Sequence, residues 1–286
     1  MTDTFIGDPT SLPNNDQEVD LTTLGFLRLY GINGDDKLGT GRDGAYLEGG
    51  QGDDYLLTDW FNGSFNNAEF YGGSGNDRIE GGAGATGDLI YAGDGDDIVK
   101  QKPNGSGPDH IEGGRGRDSL RGEAGNDAIF GGDGDDSGAS ITAGGAFGST
   151  TAAPGLFGGA GDDFLVGGRG NDLLDGGLGF DTYVGGQGND IFDFNATTES
   201  PKGSLRDIIL DFKRGQDRID VSGIDAKAGG VNDAFKFIGK KGFHDKAGEL
   251  RYKGQKLQGD TDGNGAADFE VKVDGISKLK DADLIL

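Results

Sequence analysis

One nine-residue unit, G-G-x-G-x-D-x-U-x with U apolar, recurs more than ten times across residues 31–193, and no other feature limits the fold as much. Four contiguous units close the block: 158–166, then units opening at Gly167, Gly176 and Gly185. Four others open at Asn104, Gly113, Gly122 and Gly131. Further copies open at Gly31, Gly49, Gly72 and Ala92, with a degenerate one at Thr40. The copy at Gly81 carries two extra residues before Asp88. Glycine recurs where a tight turn visits left-handed backbone angles that a Cβ resists. The x-U-x triplet makes a short strand, whose alternation sends U to one face and its neighbours to the other.

Strands this short bury nothing alone, so successive units must stack. Two units per turn give an all-β fold, a flattened right-handed parallel β-roll in which each unit lies over the second one after it. The U positions, Leu38, Leu47, Leu56, Ile79, Ile90, Val99, Ile111, Leu120, Ile129, Leu165, Leu174, Tyr183 and Phe192, then form a thin interior ladder. Two segments leave the pattern. Residues 58–71, with Trp60, Phe61 and Phe65, are not a multiple of nine and are expected to bulge as a loop. Residues 140–157 lack the Gly-Asp motif but span two repeat lengths and place Leu156 at an apolar position. They are expected to form one metal-free turn that keeps register and divides the roll's sites into two groups.

Charge identifies the natural ligand. Of the formal net charge of −24, residues 1–30 carry 5 acids and 1 base (−4), residues 31–193 carry 29 and 9 (−20), and residues 194–286 carry 16 and 16 (0). The repeat block also holds 45 of the 60 glycines, so it repels itself and cannot collapse unaided. Stacking places the aspartates of adjacent layers across a gap of ~4.8 Å, between glycine turns that expose carbonyls. Calcium takes six to eight oxygen ligands at ~2.3–2.6 Å. The candidate ligands for several Ca2+ ions are therefore Asp36, Asp54, Asp77, Asp88, Asp97, Asp109, Asp118, Asp127, Asp136, Asp163, Asp172, Asp181 and Asp190. Stacking pairs Asp109 with Asp127, Asp118 with Asp136, Asp163 with Asp181 and Asp172 with Asp190. Across irregular segments it pairs Asp36 with Asp54, Asp77 with Asp97 and Asp88 with Asp109. Without calcium the block is expected to be disordered, because ion binding supplies folding free energy that so thin a core lacks.

Other functions find little support in the residues. An acidic chain is a poor partner for nucleic acid. There is no cysteine, hence no disulfide or thiolate metal site. No cleavable signal peptide is visible in residues 1–30, which read as a lead-in or cap, and no apolar run is long enough for a transmembrane helix. The two histidines, His110 and His244, cannot build His-Glu-x-x-His, and no G-x-S-x-G elbow occurs, so no enzyme is expected. Residues 260–268, D-T-D-G-N-G-A-A-D, match half of an EF-hand loop. Its twelfth position is Val271 and Glu270 is one place off, so a tight β-turn is the favoured reading and a weak extra calcium site the alternative.

At these repeats the chain resembles the RTX (hemolysin-type) family, exported proteins with calcium-filled parallel β-rolls. Residues 185–286 further resemble the C-terminal roll-plus-cap domain of serralysin-type metalloproteases, through R-D-I-I-L-D-F at 206–212, D-R-I-D-V-S-G-I-D at 217–225 and G-E-L-R-Y at 248–252. The closing D-L-I-L at 283–286 is similar to the family's terminal export signal; read from its residues alone it is equally a closing strand. The resemblance implies a secreted, extracellular protein of a Gram-negative bacterium, carried by a type I ABC exporter, with residues 194–286 as cap and export region. Three roles stay open. The chain is a non-catalytic calcium-binding protein; or an adhesin, matrix or membrane-active module for a polysaccharide or host surface, using the aromatic loop and residues 140–157; or the repeat module of a polysaccharide-modifying enzyme.

Overall fold

Each apolar position of the repeat is the second residue of a strand, and successive strands alternate between two parallel sheets. The structure, a computed structural model, describes residues 4–6, 18–20, 28–41, 43–58, 67–103, 105–137, 140–143, 150–227 and 232–286. One sheet carries Arg28–Asn33, Tyr46–Gln51, Glu69–Ser74, Leu89–Asp94, His110–Arg115, Ala128–Asp133, Phe164–Arg169 and Thr182–Gln187 in that order. The other carries Lys37–Gly39, Tyr55–Leu57, Arg78–Glu80, Ile98–Lys100, Ser119–Ala124, Gly155–Ala160, Leu173–Leu178 and Ile191–Asp193. Register is set by the apolar residue: Leu47 lies between Leu29 and Phe70, and Val99 between Ile79 and Leu120. All thirteen expected ladder residues are fully buried, and Leu29, Phe70 and Leu156 join them. The all-β parallel roll is therefore as expected.

Both irregular segments differ from expectation. The first loop is shorter than 58–71, because Glu69–Ser74 is already a strand with Phe70 in the core. Trp60, Phe61 and Phe65 lie outside the described residues. The second segment is not a turn of the coil. Ser119–Ala124 pairs directly with Gly155–Ala160, and Ala128–Asp133 with Phe164–Arg169, an offset of 36 residues where 18 is usual. The chain leaves the roll after Asp136 and re-enters at Gly155, so 131–136 and 155–157 together make one composite unit, G-G-D-G-D-D-G-L-F. Between them Ile141–Ala143 and Thr150–Ala152 pair antiparallel, and Ala143 packs with Ala152 over Ile98, an apolar residue on the outer face of the second sheet. A hairpin satisfies its own backbone and covers Ile98, whereas a coil turn would need an aspartate and a buried U that these residues do not supply. Leu156 still occupies its apolar position. Excising residues 137–154 is expected to leave the calcium-induced circular dichroism change intact, since closing an 18-residue loop costs little. Loss of that change would restore the segment to the coil.

Beyond Asp193 the two sheets continue without repeats. Ile208–Ile209 and Arg218–Asp220 add a strand to each. The antiparallel strands Phe269–Val273, Lys256–Asp260 and Glu249–Lys253 extend the first sheet to a last short strand, Lys236–Phe237. Phe194, Phe212, Val221, Tyr252, Phe269 and Val271 bury a thicker core here, and the strands cover the open end of the coil, whose edge would otherwise template further pairing. Leu284–Ile285 adds to the second sheet beside Arg218–Asp220. The Asp283 carboxylate accepts from Lys280 N at 2.8 Å, Gly215 N at 3.2 Å and Arg214 Nε at 3.3 Å. In the folded chain the last residues are thus a closing strand.

Candidate calcium ladders in the turns

The turns that lead into the two sheets stack into two columns of aspartates. One column runs Asp36, Asp54, Asp77, Asp97, Asp118, Asp136, Asp172, Asp190 and Asp217. Each backbone N–H donates to Oδ1 of the next aspartate at 2.7–3.2 Å. The other runs from the Ala68 amide through Asp88, Asp109, Asp127, Asp163, Asp181 and Asp207 with bonds of 2.6–3.0 Å. All seven pairs named from the repeat spacing are adjacent. The columns are nevertheless continuous, because Asp127 bonds Asp163 and Asp136 bonds Asp172 across the hairpin. The two separate groups expected from the interruption do not exist.

The second oxygen of each carboxylate carries the chemistry. Oδ2 of Asp54, Asp77, Asp97, Asp118, Asp127, Asp136, Asp163, Asp172, Asp181 and Asp190 is buried without a hydrogen-bond partner. In Asp54, Asp77, Asp118, Asp136, Asp163 and Asp172 it lies against the first glycine of its own unit and beside a carbonyl of the next layer. A Cβ on Gly158 would lie 2.4 Å from Asp163 Oδ2 and 2.6 Å from Gly176 O, and one on Gly167 2.4 Å from Asp172 Oδ2 and 2.6 Å from Gly185 O. Each of these six gaps is thus lined by carboxylate and carbonyl oxygens, the donor set of a hard cation such as calcium. Gly158 has an ordinary backbone angle, so Gly158→Ala tests the cradle without backbone strain. The variant is expected to bind less calcium per chain by equilibrium dialysis, and an unchanged count would detach the cradle from the ion.

An unpartnered buried carboxylate must be neutralised, by a proton or by a cation. Burial first, then repulsion from neighbouring aspartates, pushes the carboxyls of Asp54, Asp77, Asp109, Asp118, Asp163 and Asp172 up to about 8. Asp136 and Asp181 rise to about 7, and burial lifts Asp127 and Asp190 to about 6. A cation held between the layers would relieve these shifts, each on a group stacked against its like.

Asp88 departs from the set. Its Oδ1 accepts from Ala68 N and its Oδ2 from Gly82 N at 3.1 Å. The Gln101 side chain lies where a Cβ on Gly81 would fall, 1.7 Å from that point, and fills the space left open in other units. The two extra residues before Asp88, and glutamine where the next unit would open with glycine, account for the difference. The cradle of Asp181 is entered as well, by the Tyr183 hydroxyl, which accepts from Gly176 N at 3.1 Å.

Several residues escaped the repeat reading. Asp207 and Asp217 end the two columns, two places before buried Ile209 and Ile219. Their signal was the D-x-U spacing, joined at Asp217 by Gly215 two places before it, without the G-G-x-G turn of the repeat. Asp211 accepts from Gly185 N and Gly186 N, and the Lys213 ammonium donates to Gly186 O, bringing a positive charge to Asp190 and Asp217. The position before each aspartate forms a further ladder: Asp35 accepts from Asp53 N, Asp53 from Asn76 N, and Asn76 from Asp96 N at 2.8–3.0 Å. Around 260–268, Asp260, Asp262 and Asp268 converge, but Asp260 bonds Gly263 N and Gly265 N, Asp268 bonds Thr261, and Val271 faces the core. That loop is the turn of a hairpin. His110 bonds Glu112 on the outer face, within a row of rings from Tyr30 to Phe164, and His244 bonds Glu249.

A parallel roll with stacked aspartates in glycine turns defines a calcium-binding repeat module of the RTX type. The chain belongs to the peptidase M10 serralysin C-terminal family, whose model matches residues 10–286. Among solved structures it is similar to the AlgE6R3 subunit of the Azotobacter vinelandii mannuronan C5-epimerase, at 32% identity over 46% of this chain and 72% of that one, with a TM-score of 0.33. No curated protein matches the chain in sequence.

Proposed function

We propose that this chain is a secreted, non-catalytic calcium-binding protein that folds outside the cell after passing a type I ABC exporter. The observation that carries the reading is the set of ten buried, unpartnered carboxylate oxygens in stacked layers, a folded state that needs calcium. Asp36 completes the proposed ligand set with these ten and Asp109; Asp88 is left out of it. Extracellular modules bind calcium at ~10⁻⁴–10⁻³ M, which leaves such a chain unfolded in a calcium-poor cytosol and folded in the medium. The terminal D-L-I-L serves twice in this account, as address in the unfolded chain and as closing strand in the folded one.

Co-expression with a serralysin-type ABC exporter in a Gram-negative host tests the route. The full chain is expected in the medium and a chain lacking residues 283–286 in the cells. Equal export of the two would remove the address. The purified truncation, titrated with calcium, separates failed export from failed folding.

A further inference from the structure

We propose that the cap carries a binding groove for an acidic oligosaccharide. In a chain of net charge −24, one concavity of about 630 Å³ is ringed by Lys227, Lys236, Lys241, Lys246 and His244. It lies between the last strand of the first sheet, Lys236–Phe237, and the loop at 240–248. Among the described residues Glu249 is the only acid in its wall, and both its oxygens are engaged by His244, through N at 2.7 Å and Nδ1 at 2.9 Å. Lys227 bonds Asp233 at 3.3 Å, while no ion pair involves Lys236, Lys241 or Lys246 among the described residues. The groove therefore presents several unneutralised ammonium groups to whatever enters it.

The roll does not cancel this charge. Four strand spacings separate Lys236–Phe237 from Ile208–Ile209, the strand that follows the last coil in the sheet order. That is ~19 Å along the sheet, beyond the ~8 Å Debye length at physiological ionic strength. A ligand in the groove meets the lysines and little of the acidic coil.

The walls select among anions. Phe237, Ile238, Ala234 and Ala247 line the same space, so apolar surface alternates with point charges. Sugar rings bearing carboxylates or sulfates match both: their C–H faces lie on apolar side chains and their anions meet ammonium groups. A membrane surface or a long nucleic acid is wider than the groove and must also approach the roll, whose segment 31–193 carries −20 (29 acids, 9 bases). An oligosaccharide avoids that repulsion.

The test uses the calcium-loaded full chain and isothermal titration with five probes: an oligogalacturonate, a sulfated heparin hexasaccharide, neutral maltohexaose, phosphatidylserine vesicles and a single-stranded DNA oligomer. Binding to one or both acidic sugars is expected, with none to maltohexaose and affinity falling as salt rises. The carboxylated and sulfated arms identify the anion. Lys236→Gln with Lys241→Gln is expected to weaken binding at least tenfold. Both residues are exposed and off the calcium ladders, so the calcium-induced circular dichroism change should be unaltered, which keeps this test separate from the calcium reading. No binding to either acidic sugar, equal binding by the double variant, or binding to vesicles or DNA without the sugars would overturn the proposal.

Discussion

In chelator at pH 7.5 the chain is expected to lose the β-sheet circular dichroism of the repeat block, and to regain it cooperatively as calcium is added. The size of the electrostatic cost decides this. A carboxyl moved from its ordinary ~3.9 to about 8, as for Asp54 or Asp163, costs ~5 kcal/mol when it must ionise in the folded state. Whole domains hold only about 5–15 kcal/mol of stability. Five of the ten carboxyls reach about 8 and the other five are also raised, so the set, even heavily discounted for coupling, outweighs a core that in the roll has one apolar residue per strand. Each bound ion reverses the balance at its layer and adds ~2.7 kcal/mol for every site at a hundredfold excess over its dissociation constant. A chain that kept its full β signal in chelator at this pH would show that the aspartate columns need no cation.

Acid should partly replace calcium. The folded-state carboxyls lie above their unfolded value, so their contribution to the metal-free roll is complete below pH ~3.9. It is lost as pH rises through about 6 for Asp127 and Asp190, about 8 for Asp54 and Asp172, and about 9 for Asp207. Lowering the pH of the chelated chain from 8 to 4 is therefore expected to raise its β content. With calcium the sign inverts: the ion displaces protons, so apparent affinity should rise with pH across the same window. Far-ultraviolet titrations with and without calcium measure both trends. A chelated chain whose β content is flat or falls on acidification would contradict the raised carboxyls.

Most of this was legible from period and residue type. A nine-residue unit fixed which residue faces inward, and Leu38 through Phe192 are all buried. The same period named seven adjacent aspartate pairs, because stacking two units on follows from the coil itself, and left Asp54–Asp77 and Asp97–Asp118 unnamed across irregular spacings. It misled where arithmetic stood in for chemistry. Eighteen residues equal two units whether they coil or loop out, and only the pairing of Ser119–Ala124 with Gly155–Ala160 separates these. Gln101 was invisible for a different reason: its effect depends on a side chain entering the neighbouring layer's cradle. Asp207 and Asp217 lack the G-G-x-G turn that marks the repeat, and their stacking identifies them as the ends of the columns. The lysine groove lay in a charge-balanced segment, where composition averages away any local excess.

The most direct test of the calcium columns is the number of ions retained per chain by native mass spectrometry, for the wild type and for Asp163→Asn. Asp163 borders the gaps to both Asp127 and Asp181, within the continuous part of its column. The wild type is predicted to carry several calcium ions, and Asp163→Asn at least one fewer while the rest of the column stays loaded. A wild-type chain that holds none, or a variant that holds as many as the wild type, would contradict ligation between stacked aspartates.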